Sequence, residues 1–136
     1  MTAFLLDTDT ASRLLRGERT TVNAMRRSGA TDISISAVTQ SELLYGARLR
    51  MDKPALMTAI RDFLDRVSVE PWGPDAASHH AEIRALAKAT GRAAGAFDIM
   101  IAAHARALAA ILVTSDKAIA NLNIPGLQLA NWMTPP

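Results

Sequence analysis

The sequence predicts an α/β fold in which a central parallel sheet carries helices on both faces. Five short apolar runs alternate with longer stretches of helical periodicity, the pattern left by successive strand–helix–strand units. The helical stretch over residues 96–109 is apolar nearly all round, as a helix buried against a sheet would be. Of the 136 residues, 49% are apolar and 21% are charged, which supports a real core and argues against disorder. The length suits one domain over residues 1–136.

Each element has its own signal. Ala3-Phe4-Leu5-Leu6 is a buried strand, and Asp7-Thr8-Asp9-Thr10 opens a helix that runs to Gly17, a C-cap candidate. A short helix covers residues 21–27 and stops at Ser28-Gly29. Ile33-Ser34-Ile35 is the second strand, and Ser36 is the N-cap of a helix through Val38, Leu44 and Ala47. Asp52-Lys53-Pro54 restarts a helix with Pro54 in its first turn, where the missing N–H is harmless, and Leu56, Ile60, Phe63 and Leu64 form its apolar stripe. Val67-Ser68-Val69 is a third strand closed by Glu70-Pro71. A long Ala-rich helix spans residues 75–90 and ends at Gly91, followed by the helix over residues 96–109. Ile111-Leu112-Val113 is the fourth strand and Leu127-Gln128-Leu129 a fifth, with Pro135-Pro136 a frayed end.

Composition excludes several chemistries. Without cysteine there is no disulfide, thiolate metal site or cysteine nucleophile. No apolar run approaches the roughly 18 residues that span a bilayer, and the first residues reach an acid at Asp7 without a basic leader, so a soluble, cytoplasmic chain with no membrane association is expected. The net charge is +2, and arginine outnumbers lysine, which favours an anionic partner as much as it reflects a GC-rich genome. Aromatics make up only 4%, which argues against nucleic-acid binding by base stacking.

The acids carry the chemistry. In open parallel sheets ligands bind beyond the carboxyl ends of the strands, and Asp7 and Asp116 both follow strands at that edge. Either alone reads as an ordinary helix N-cap. Asp98 is different: it lies among Phe97, Ile99, Met100 and Ile101, where a carboxylate is costly unless paired, bound to a cation, or eased by the positive end of its helix. Glu42, beside Leu43 and Leu44, is a weaker signal that a solvated helix position also explains. Carboxylates converging on one pocket repel unless a cation balances them, and oxygen donors without His or Cys select Mg²⁺ or Mn²⁺. Such a site suits phosphodiester hydrolysis by an activated water.

These residues also carry a family pattern. Phe4-Leu5-Leu6-Asp7-Thr8-Asp9-Thr10 resembles the opening of VapC-type PIN-domain toxins. Ser36-Ala37-Val38-Thr39-Gln40-Ser41-Glu42-Leu43 with Gly46 resembles their second motif, and Gly91 through Ala105, with Phe97-Asp98-Ile99-Met100-Ile101-Ala102-Ala103, their third. Leu112-Val113-Thr114-Ser115-Asp116 and Ile124-Pro125-Gly126-Leu127 are similar to the fourth and to the ending. The resemblance runs through nearly the whole chain in order. It implies a three-layer α/β/α fold with a parallel sheet, a Mg²⁺- or Mn²⁺-dependent endoribonuclease, and a small antitoxin protein that blocks the site. It further implies that Asp7, Glu42, Asp98 and Asp116 are both the metal ligands and the catalytic acids, with Thr114 or Ser115 hydrogen-bonded to a metal-bound water. Ala93-Ala94 departs from the proline and aliphatic residue usual there, which bears on the loop that presents Asp98.

Other signals read as structural. His79-His80 with Glu82 is a solvated helix face, and His104, about 120° round the helix from Asp98, is structural or surface. Asp9 is a helix cap or an outer neighbour of the metal. Arg13, Arg16 and Arg19, with Arg26-Arg27, hold RNA phosphates or form a plain charged face. The helices between Ser36 and Asp65 offer apolar surface for an inhibitor, whose Arg would pair with Asp7 and Asp98, and for a homodimer. Two rival readings remain: a haloacid-dehalogenase-like phosphatase, resembled by Asp7-Thr8-Asp9-Thr10 with Asp7 as nucleophile and Asp9 as general acid, and a catalytically silent protein-binding module.

Overall fold

A computed structural model of the chain describes residues 3–135, so Met1, Thr2 and Pro136 lie outside it, and with them part of what was expected of the leader and of the Pro135-Pro136 end. Five strands, β1 (Ala3–Leu6), β2 (Asp32–Ser36), β3 (Ser68–Glu70), β4 (Ile111–Val113) and β5 (Leu129–Ala130), form one sheet in the order β3-β2-β1-β4-β5. Every neighbouring pair is parallel. Leu6 is opposite Ile35 on one side and Val113 on the other, so the residues that follow these three emerge at one edge.

The central strand is buried on both faces, and its alternation assigns each side chain to a layer. Phe4 and Leu6 enter a core with Ala11, Ala24, Leu43, Ala47 and Ile60, from α1 (Thr8–Leu15), α2 (Arg19–Ser28), α3 (Ala37–Arg48) and α4 (Pro54–Arg66). Leu5 enters the opposite core with Ile83, Ile101 and Ile119, from α5 (Pro74–Thr90), α6 (Ala96–Ala107) and α7 (Lys117–Asn121). Helices thus cover both faces, and the fold is the expected three-layer α/β/α sandwich.

Differences from the sequence reading have local causes. The fifth strand begins at Leu129 because the chain is still turning before it, with Gly126 at φ 77° and the Leu127 N–H on the Ile124 carbonyl at 3.3 Å. Helix α7, which the N-cap reading of Asp116 allows, has no periodic signal of its own, because five residues are too few to show a period. Helix α6 ends at Ala107, where the Ala109 N–H donates to the Arg106 carbonyl and the Ala110 N–H to the Ala105 carbonyl. This paired closure requires a left-handed residue, and Ala109 takes it at φ 52°. The same closure on α5 uses Gly91 at φ 66°. Ala109→Gly is therefore expected to raise stability by about 1 kcal/mol, and Gly91→Ala to lower it by about as much, read as opposite shifts of the urea midpoint.

Candidate active site

Because β1 lies between β2 and β4, a crevice opens beyond the carboxyl ends of β1 and β4, where the strand order reverses. Asp7 sits at its base, 7% exposed. Its N–H donates to the Val113 carbonyl at 3.0 Å, continuing the ladder. Its Oδ1 accepts the Thr10 N–H at 2.8 Å and so caps α1. Burial pushes the Asp7 carboxyl above its ordinary range, hydrogen bonds from Thr114 and Thr10 oppose this, and the Asp9 charge adds to it.

Asp116 stands across the crevice as the N-cap of α7, its Oδ1 accepting the Ala118 N–H at 2.8 Å and its own N–H bonded to Thr114 Oγ1 at 3.0 Å. The ordinary N-cap reading of both acids is thus correct, yet each cap also faces the crevice. Asp98 lies in the first turn of α6. Its carboxyl is pushed up to about 6, first by burial, then by a hydrogen bond with Asp116 and by the charges of Asp116, Asp7 and Glu42. Glu42, on α3, accepts the Thr8 hydroxyl at 2.6 Å. Asp116, Asp7 and Glu42 thus all lie near enough to Asp98 for their charges to act on it. Among the described residues, however, no three His, Asp or Glu side chains are gathered as they stand so as to enclose an ion.

Thr8 escaped the sequence reading. It sits in Asp7-Thr8-Asp9-Thr10, where the acids drew attention, and its hydroxyl orients Glu42 while also contacting Thr39 Oγ1 at 3.2 Å. Thr114 is buried against Asp7, whereas Ser115 is exposed. Asp9 does not cap α1: Asp7 does, and Asp9 pairs instead with Arg13 at 3.1 Å. Arg13 also holds Glu18 at 2.8 Å, which leaves it poorly placed to grip phosphate. The loop before Asp98 is pinned despite Ala93-Ala94, because Arg92 donates to the Asn121 carbonyl at 2.7 Å.

The histidines lie elsewhere. His104 is buried in α6, 2% exposed, its Nδ1 2.8 Å from Ser36 Oγ, so its role is structural. Burial pushes its pKa down, partly opposed by Glu70 and the Pro71 backbone. On the face carrying His79 and Glu82, Glu82 is exposed and His79 half-buried, and both hold Arg106, whose Nε donates to His79 Nδ1 at 2.8 Å.

The burial of Asp98, with the acids around it, sets a pH dependence. The folded chain binds a proton at Asp98 more tightly than the unfolded chain does, since 3.8 becomes about 6. That contribution to stability is complete below about pH 3.8 and is lost as pH rises through about 6. Metal-free protein is expected to melt at a lower temperature at pH 7 than at pH 5, and Asp98→Asn to flatten this difference in a chelator-treated thermal melt.

A family model, the PIN domain, matches residues 4–124. The chain is 32% identical over 132 residues to the tRNA(fMet)-specific endonuclease VapC of Shigella flexneri, covering 97% of this chain and 99% of the relative. It is a PIN-domain protein of the VapC family. Ribonuclease VapC2 of Haemophilus influenzae is 29% identical over 98% of this chain and all of its own length. Among solved structures, the DNA-bound VapBC of Salmonella typhimurium superimposes with a TM-score of 0.86 at 28% identity, covering 97% of this chain and 99% of that one. The VapBC2 of Rickettsia felis, bound to a DNA fragment from its promoter, gives 0.85 at 26%, covering 96% and 99%. Among the described residues of this PIN domain no helix is long and apolar enough to cross a membrane.

Proposed function

We propose that this PIN domain, acting as one unit over residues 1–136, is a divalent-metal-dependent endoribonuclease toxin, silenced by a small antitoxin protein. The observation that carries the reading is that Asp98 faces Asp116, Asp7 and Glu42 from a half-buried position: burial first, and then these neighbours, push its carboxyl up to about 6. Such repulsion is relieved by a hard cation, and the all-oxygen donor set fits Mg²⁺ or Mn²⁺. Asp7, Asp98, Glu42 and Asp116 would hold the ion, which supplies an activated water and neutralises charge on the phosphate. The chain's own residues prepare this. Asp7 is fixed by the ladder and by its cap, Thr8 aims Glu42, and Thr114 bridges Asp7 and the Asp116 backbone. His104 is held by Ser36 and His79 by Arg106, and His80 lies edge-on to Trp72, so no pair of imidazoles is offered to activate a ribose 2′-hydroxyl.

The phosphatase reading loses support because Asp9, its general acid, is paired with Arg13, and because it gives Asp98 and Glu42 no role. The relatives' names and the VapBC complexes support RNA as substrate and an antitoxin as partner. An Arg of that partner laid between Asp7 and Asp98 would replace the cation. Exposed Leu49 and Met51 beside α4 offer apolar anchors for the partner and for a homodimer.

End-labelled RNA incubated with Mg²⁺ is expected to yield 5′-phosphate and 3′-hydroxyl ends, and EDTA to stop the reaction. Cyclic 2′,3′-phosphates would overturn the metal-water mechanism. Expressed alone in a bacterial host, the wild-type chain is expected to arrest growth, with relief on co-expression of a small adjacent open reading frame whose product copurifies with it.

A further inference from the structure

The chain has three phenylalanines, two tryptophans and one tyrosine, and half of these aromatics share one groove. Tyr45, Trp72 and Phe97 line a space of about 750 Å³ together with Val38, Ser41 and Glu42. Tyr45 and Phe97 are 65% and 56% exposed, unlike rings recruited to a core. Both adjoin the acids: Phe97 immediately precedes Asp98, and Tyr45 follows Glu42 by three residues on the same face of α3. Trp72 is held more firmly, its indole N–H donating to the Met100 carbonyl at 3.0 Å and its ring edge-on to His80 at 5.5 Å.

We infer that this groove is a nucleobase platform, on which an unpaired base next to the scissile phosphate stacks against Phe97 and Tyr45, with Trp72 as a wall. The inference rests on the ribonuclease reading and adds to it the part of the substrate that the protein recognises. No Lys or Arg lines the groove, and Glu42 there repels phosphate, so the groove suits an uncharged flat ring rather than backbone. A base is covalently tied to the phosphate that a cation held by the acids would engage, and a strand held there brings its neighbouring base to these rings. The large exposed aliphatic side chains, Leu49, Met51, Leu108 and Leu129, all lie outside this lining. The low overall aromatic content therefore misleads about stacking, because the few aromatics are concentrated beside the acids. Stacking on aromatic side chains tolerates any base, so the platform would position RNA and prefer single strands.

The test uses a fluorescein-labelled single-stranded oligoribonucleotide that the wild-type chain cleaves, with binding read by anisotropy in Ca²⁺ in place of Mg²⁺, which keeps a divalent cation at the acids while intact oligonucleotide is confirmed on a gel. Phe97→Ala and Tyr45→Ala are each expected to weaken binding about tenfold with unchanged thermal melts, and Phe97→Leu to weaken it similarly. Phe97→Trp is expected to retain binding, and Leu108→Ala to leave it unchanged. An abasic site beside the cleaved bond should weaken wild-type binding and abolish the difference between wild type and Phe97→Ala. Equal affinity of all variants, or a difference that survives the abasic site, overturns the platform while leaving the ribonuclease intact. So does normal RNA binding in variants that no longer assemble with the copurifying small protein, which would make the groove a protein seat. A wild-type chain that neither binds nor cleaves RNA brings down both readings.

Discussion

Asp98→Asn is expected to reduce RNA cleavage by about a thousandfold or more and to leave the chain folded, with metal-free stability at pH 7 equal or higher. The two effects have one origin. At pH 7 the Asp98 carboxylate is held partly buried against Asp116, Asp7 and Glu42, and burial first and then these neighbours raise its pKa to about 6. An amide in its place removes one repelling charge and can donate to Asp116, which favours the fold. The same exchange removes a ligand from the proposed cation and with it much of the activation of water. Asp7→Asn is expected to lose activity to a similar degree, since an amide oxygen can still cap Thr10 but the charge is gone. Asp7→Ala should in addition lose about 1 kcal/mol of stability with the cap. Initial rates on labelled RNA and thermal melts with chelator separate these outcomes. Asp98→Asn activity within tenfold of wild type, undiminished by EDTA, would refute the assignment.

Gly95→Ala is expected to lower kcat about tenfold to a hundredfold with little change in melting temperature. Gly95 caps α6 at φ −59° and ψ 143°, a conformation open to any residue, so alanine introduces no backbone strain. An added Cβ would stand 2.7 Å from Asp98 Oδ2, and the carboxylate must swing aside to admit it. The fold tolerates that movement because the atom displaced is the end of a side chain. Catalysis does not, because it depends on where that oxygen sits. The double variant Gly95→Ala/Asp98→Asn should be no slower than Asp98→Asn alone, since both changes act on the same carboxylate. Additive losses would show that Gly95 acts by another route.

Much of this was legible in the residues. Strand-length apolar runs and Asp7 and Asp116 after two of them placed both acids at one sheet edge, and the structure has them there as the caps of α1 and α7. The isolation of Asp98 among apolar neighbours was the clearest local sign of unusual electrostatics, and its raised pKa has that character. What was hidden depends on contacts distant in sequence. Thr8 reaches Glu42 across 34 positions, and His104 reaches Ser36 across 68, so no local pattern could reveal either. Asp9 misled for the opposite reason: Asp7 and Asp9 both precede helical residues, and only the backbone geometry shows that the Thr10 N–H meets Asp7. The frame of α7 was missed because a single turn carries no period.

The strand order also governs when the crevice comes into being. Asp7 and Glu42 belong to the segment that leaves the ribosome first, and β1 with β2 can pair once residue 36 has emerged. Asp98 and Asp116 come from the later half, and β4 must insert beside β1 before they face the earlier pair. A nascent chain truncated before residue 111 holds at most three of the four acids and lacks the strand that closes the crevice. A domain generally folds as a unit. The order of synthesis therefore delays the assembled cluster until β4 and the Asp116 that follows it have been made.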